Sequence, residues 1–304
     1  MKKIYSILTF IIIVSCASNE EEIAISEPTE FTFKYNLHSS LPADWITEFY
    51  VIMKNLDDLI PIKHTNYFYE LPIYAWNSNV DKPYKDKIGN ASGSSISGSG
   101  GAINDKYMVL EIPYQEFEYK SMHRYSVIDH EYFHVYQMSL SKNFFDRNIE
   151  LKWMSEGGAS TFESLYIQQH YSFNYFKEDQ DRVDISVINN PSIFEKYSSS
   201  SSVDSNYSSS VFMVLVLVKE LQKKGSTESE AFKLVLKDYW LRNPIENNWK
   251  TIFLEVFNIS VDEFYTNLKS YTNDIKTVLP SESLKLESIF LSLIHISEPT
   301  RPYS

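Results

Sequence analysis

The stretch "DHEYFHVYQ", residues 129 to 137, sets two of the chain's 7 histidines four apart, with a glutamate directly after the first. From about residue 118 the apolar pattern turns helical, and Phe133 and Val135 read as core positions. Residues four apart on a helix lie on one face, one turn above the other. His130 and His134 can therefore aim their imidazoles at a single point. Zinc accepts nitrogen ligands at roughly 2.0–2.1 Å, within reach of both side chains without bending the helix. Glu131 is rotated about 100° around the axis. It cannot easily join the same grip, but it can reach a water held there, where a general base is wanted. This is the His-Glu-x-x-His arrangement and its mechanism. The pattern arises by chance in roughly one chain of this size in a hundred, so a third ligand is required before it carries weight.

Working outward, "KWMSEGGASTFES" (152 to 164) supplies that candidate in Glu156, 22 residues after His134. The interval is long enough for a turn and a second helix running alongside the first. Gly157 and Gly158 follow it. Glycine inside a helix costs about 1 kcal/mol relative to alanine, so the pair implies a close approach of neighbouring backbone or of a metal. The competing reading of Glu156 is an acidic first-turn residue favoured by the helix dipole. Partners that would orient the imidazoles stay open among Asp129, Glu163 and Ser160. His38, His64, His123 and His170 have no paired spacing and are expected to bind nothing.

The remaining pattern sets the fold class. "EFTFKYNL" (30 to 37), "YELPIYAW" (69 to 76) and "KYMVLEIP" (106 to 113) read as strands, and 42 to 60 as an amphipathic helix. The Ser/Gly-rich stretch "ASGSSISGSGG" (91 to 101) reads as a flexible loop. Helices are expected near 120–140, 153–170, 208–224, 228–241, 246–257 and 261–277, with 171 to 206 irregular. The expected class is α+β: a small N-terminal sheet packed on the metal-binding helix, a mainly helical C-terminal part, and the cleft between them.

"HEYFH" together with "WMSEGGA" resembles the gluzincin metallopeptidases, and within them the compact bacterial peptidase MA-like domains; the likeness covers roughly residues 28 to 285. It implies Zn²⁺ held by His130, His134 and Glu156, with Glu131 as general base and peptide or protein as substrate. "NYSSSVFMVLVLVKEL" (206 to 221) is similar to the family stretch in which a tyrosine begins a long apolar helix and stabilises the oxyanion, a role that would fall to Tyr207. "GGAIND" (100 to 105) has Asn104 where aminopeptidase relatives carry the glutamate that grips a free amine. The implied activity is therefore that of an endopeptidase. The strand at 106–112 is expected to be the open edge that pairs with an extended substrate.

The ends are read separately from the fold. "MKKIYSILTFIIIVSC" has the layout of a secretory signal, with an apolar run too short for a permanent membrane helix. "IVSC" resembles a lipobox, so residues 1–15 are expected to be a lipoprotein signal and Cys16, the only cysteine, the lipidated residue. Residues 16–27 form an acidic tether and 28–290 the folded domain. "LSLIHISEPTRPYS" (291 to 304) reads as a non-native, adapter-derived tail. The chain is thus expected to be a monomer in the cell envelope, lipid-anchored at the outer membrane. A net charge of −12 argues against nucleic acid as a partner. The alternative is a zinc-containing surface lipoprotein that binds peptides or glycans without cleaving them.

Overall fold

The structure is a computed structural model and describes residues 30–98, 105–142, 151–197 and 203–291. The signal, Cys16 and the tether, Asn104, and residues 292–304 of the tail lie outside the described residues. Strand β1 (Thr32–Leu37) leads through helix α1 (Ala43–Leu59) into β2 (Glu70–Asn77). A short α2 (Lys85–Ile88) precedes β3 (Ser94–Gly98) and β4 (Lys106–Ile112). These strands form a four-stranded sheet in the order β1-β2-β4-β3. β1 and β2 run parallel, as do β2 and β4, whereas β3 is antiparallel to β4.

The Ser/Gly stretch contributes a strand, β3, rather than only a loop. The strand at 106–112 is not the open edge: β4 lies inside the sheet, and the edge on that side is β3. Serine and glycine have poor strand propensity, but the ladder offered by β4, in register from Ser94↔Leu110 to Gly98↔Lys106, overrides it.

The two faces of the sheet follow from alternation along its strands. Leu71, Ile73 and Ala75 of β2 and Met108, Leu110 and Ile112 of β4 point into the main core. Trp76 and Val109 point the other way and make a small separate cluster with Ile88. The main face is covered by α1, through Trp45, Phe49, Ile52 and Leu56, and by α4 (His123–Leu140). Trp45 Nε1 donates to the Arg124 carbonyl at 2.8 Å and pins α1 to the start of α4. A short α3 (Tyr114–Glu118) connects β4 to α4.

Beyond α4 the fold is helical. α5 (Lys152–Tyr171) runs beside α4, followed by short α6 (Tyr175–Glu178), α7 (Ser186–Asn189) and a 3₁₀ turn at Pro191–Glu195. α8 (Val203–Lys223) is the centre of this half: Val211 to Val218 are all buried, the mark of a helix enclosed on every side. α9 (Glu228–Lys233), a π turn at Leu234–Asp238, α10 (Tyr239–Leu241), α11 (Trp249–Phe257), α12 (Val261–Leu268) and α13 (Leu286–Phe290) pack around it. The helix read as 261–277 stops at Leu268. Among the described residues no helix is long and apolar enough to cross a membrane.

Gly157 is fixed by the meeting of α5 and α8. A Cβ there would lie 2.7 Å from both the carbonyl carbon and the oxygen of Ser210. Ser208, Ser209 and Ser210 are buried on the facing turn, so small side chains on both helices permit the contact. Replacing Gly157 by Ala should therefore lower the melting temperature. Overpacking costs about 1–3 kcal/mol or more, which exceeds the ~1 kcal/mol that alanine gains in an open helix. A thermal scan that shows G157A melting above the parent would contradict this packing.

Candidate metal centre

α4 presents His130 and His134 on one face, one turn apart, as their spacing predicts. α5 lies alongside and brings Glu156, in its first turns, to the same point. His130 Nε2 and His134 Nε2 are 3.1 Å apart. Glu156 Oε2 lies 3.4 Å from the first and 3.1 Å from the second. Four ligands at 2.0–2.1 Å in a tetrahedron are separated by about 3.3 Å, so the triangle has the dimensions of one tetrahedral face. Among the described residues this is the group of His, Cys, Asp and Glu side chains able to hold a metal ion.

The outer nitrogens decide whether the inner ones can bind a cation. His134 Nδ1 lies 2.8 Å from Gln137 Oε1, and Gln137 Nε2 donates to the Ser155 carbonyl at 3.1 Å. That second bond fixes the amide orientation, so its oxygen faces His134 and Nδ1 must carry the proton. His130 Nδ1 faces Glu163 Oε2 and Ser160 Oγ, each at 3.4 Å, and is likewise the protonated nitrogen. With Nδ1 of each ring turned outward, both Nε2 atoms are left to face the Glu156 carboxylate oxygen. Without a cation, a proton held on His130 bridges it to Glu156; a divalent cation can take the place of that proton and hold all three atoms at once. The other oxygen of Glu156 is held by Lys152 Nζ at 3.1 Å.

The charges of these groups follow their surroundings. Burial opposes a charge on His130, but the carboxylates of Glu156 and Glu163 outweigh it and raise its pKa well above the imidazole range. Burial also works against ionised Glu156, yet the imidazoles of His134 and His130 hold its carboxyl well below the usual range. Glu131 is 5% exposed and has no hydrogen-bond partner among the described residues. Burial raises its pKa, and His130 and His134 temper the rise.

A cleft of about 420 Å³ reaches the group at His130 and is lined also by Glu131, Ser160, Glu163 and Tyr207. Tyr207, near the start of α8, places its ring 5.8 Å from that of His130. Burial, and then the charge of Glu156, push its phenol up, so it is a neutral proton donor at any ordinary pH. Ser208, the next residue, donates to Gln180 Oε1 at 3.3 Å, and Gln180 Nε2 donates to Glu163 Oε1 at 3.3 Å. A hydrogen-bonded chain thus runs from the helix of Tyr207 to the residue that orients His130.

The structure brings together His130, Glu131, His134, Glu156 and Tyr207. Of the candidates left open for orienting the imidazoles, Glu163 and Ser160 reach His130, whereas both carboxyl oxygens of the fully buried Asp129 lack a hydrogen-bond partner among the described residues. Gln137 is a partner that the sequence reading does not single out. Its spacing of three from His134 on one helix face is the signal that could have found it. His123, given no role by its spacing, lines the cleft with its Nδ1 2.7 Å from Glu116 Oε1. No protein-family model, no curated protein and no solved structure matches this chain.

Proposed function

We propose that the protein is a zinc metallopeptidase of the gluzincin, peptidase MA-like kind, hydrolysing internal peptide bonds from a lipoprotein anchored through Cys16. The reading rests above all on one observation: two imidazole nitrogens and a carboxylate oxygen lie within 3.4 Å of one another, and His130 of this group lines an open cleft together with the buried Glu131. Two imidazole nitrogens and one carboxylate oxygen are the donor set of catalytic zinc sites, which keep a further position open. A bound Zn²⁺ supplies a Lewis acid that polarises a carbonyl and brings the pKa of water down to about 7.

The chain's own groups account for the proton movements. Glu131 takes a proton from the attacking water and passes it to the leaving nitrogen. The carbonyl carbon gains the new C–O bond as the C–N bond breaks, and the amine leaves neutral. Tyr207 donates its phenolic O–H to the oxyanion that develops at the carbonyl oxygen. Gln137, Glu163 and Ser160 keep each Nε2 turned inward. Tyr207→Phe should lower kcat/KM by about 10²-fold, the scale of one oxyanion donor, and leave metal content unchanged. A phenylalanine variant as fast as the parent would remove Tyr207 from the mechanism. Hydrolysis itself is tested by incubating the zinc-loaded protein with a library of blocked peptides and reading new termini by mass spectrometry. Stoichiometric zinc with no cleavage would sink the reading.

The placement in the envelope is supported by the sequence alone, through the signal, "IVSC" and the acidic tether. The acidic overall charge argues against a nucleic-acid partner.

A further inference from the structure

We infer that the cleft selects peptides carrying a positively charged side chain, lysine or arginine, next to the bond to be cut. This rests on the hydrolase reading above and specifies its substrate class. The cleft is lined by six carboxylates, set against one arginine, Arg182, and the imidazoles of His123 and His130. Glu111 comes from β4, and Glu178, Asp179 and Asp181 come from the end of α6 and the turn after it. The inner part holds Glu131 and Glu163.

The inner acids have assigned duties or lie unanswered. Glu163 is occupied by His130 and Gln180. Glu131 is nine-tenths and more buried, unpartnered, and opens onto the same cavity, so the cleft carries a buried carboxylate that only a ligand or solvent can meet. The outer acids are less provided for. Among the described residues Glu111 accepts from the Gly93 backbone N–H alone, at 2.8 Å. Glu178, Asp179 and Asp181 make no ion pair with a Lys, Arg or His side chain within 4.0 Å among the described residues. The pKa of Asp179 rises to about 6: burial leads, His123 opposes, and Glu163, Glu178 and Asp181 add their repulsion. Like charges crowded into a concave, partly desolvated space focus a negative potential on whatever enters. An ammonium or guanidinium on a flexible apolar stem relieves that repulsion, and an acidic side chain adds to it. A free peptide amino terminus shares this chemistry, and the experiment separates the two sources.

The test uses the full mature protein loaded with zinc and the best-cleaved peptide of a library acetylated at one end and amidated at the other. Versions differing only in one residue, Lys, norleucine or Glu, are compared. The Lys peptide is expected to exceed norleucine in kcat/KM by at least about tenfold, with Glu lowest. The ratio should shrink as salt is raised from about 0.05 to 0.5 M. Asp179→Asn with Asp181→Asn should bring it below about threefold. Equal rates for Lys and norleucine, or a preference that appears only when the amino terminus is unblocked, would overturn the inference. Binding of the same labelled peptides to the Glu131→Gln variant, read by fluorescence anisotropy, keeps the two readings apart. Tighter binding of the Lys peptide by about tenfold without any cleavage by the parent upholds the charge selection and removes the hydrolase. Equal binding removes the selection whether or not peptides are cut.

Discussion

Glu131→Gln should leave the metal centre and fold intact and lower peptide turnover by about 10²- to 10⁴-fold, the range assigned to a positioned general base. The geometry explains why the change is clean. Glu131 is not one of the three converging ligands and has no hydrogen-bond partner to lose among the described residues. Glutamine has nearly the same volume, so no cavity opens in the packed face of α4. What disappears is a single lone pair able to take and return a proton. Metal content by mass spectrometry, a thermal scan and kcat on one blocked peptide form the complete set of measurements. A variant with full zinc and parental kcat would show that another group moves the proton, or that the chain only binds.

The second large effect concerns the ligands. Glu156→Ala is expected to abolish stoichiometric metal. Removing an outer partner of a metal-binding histidine typically costs about 10- to 100-fold in affinity, and loss of a direct ligand should cost more. Two further consequences follow from the contacts of Glu156. Lys152 loses its contact at 3.1 Å, and the two Nε2 atoms, 3.1 Å apart, are left facing each other without a carboxylate. Chelator competition with a zinc-sensitive dye would measure the affinity directly. His134→Ala should behave in the same way. Parental zinc retention in either variant would place the metal elsewhere.

The centre of the site is legible in the residues themselves. A spacing of four on a helix fixes the relative direction of two side chains, because the helix has one pitch and few rotamers. The pair of glycines after Glu156 signals a close approach, and Ser210 of α8 is the backbone that comes close. The helical pattern of the C-terminal half and the three strands of alternating apolar residues are equally plain. Other features are not. β3 has one strand-favouring residue, Ile96, among Ser and Gly, and the ladder of β4 draws it into the sheet. That addition moves the open edge from β4 to β3. Nor can spacing choose among Asp129, Ser160 and Glu163 as partner of His130. All three lie near it in sequence or one helix away, and their directions depend on how α4 and α5 are rotated against each other.

By itself, then, the sequence determined the local geometry: which residues share a helix turn, where chains must approach closely, which faces are apolar. These are consequences of backbone stereochemistry, which acts over a few residues. The sequence could nominate Glu156 and Tyr207 but not join them to the histidine pair; that meeting, the outward partners Gln137 and Glu163 and the acidic lining of the cleft were decided by the tertiary structure. They join residues far apart along the chain, and the distances between them are set by how sheet and helices pack to bury one common core.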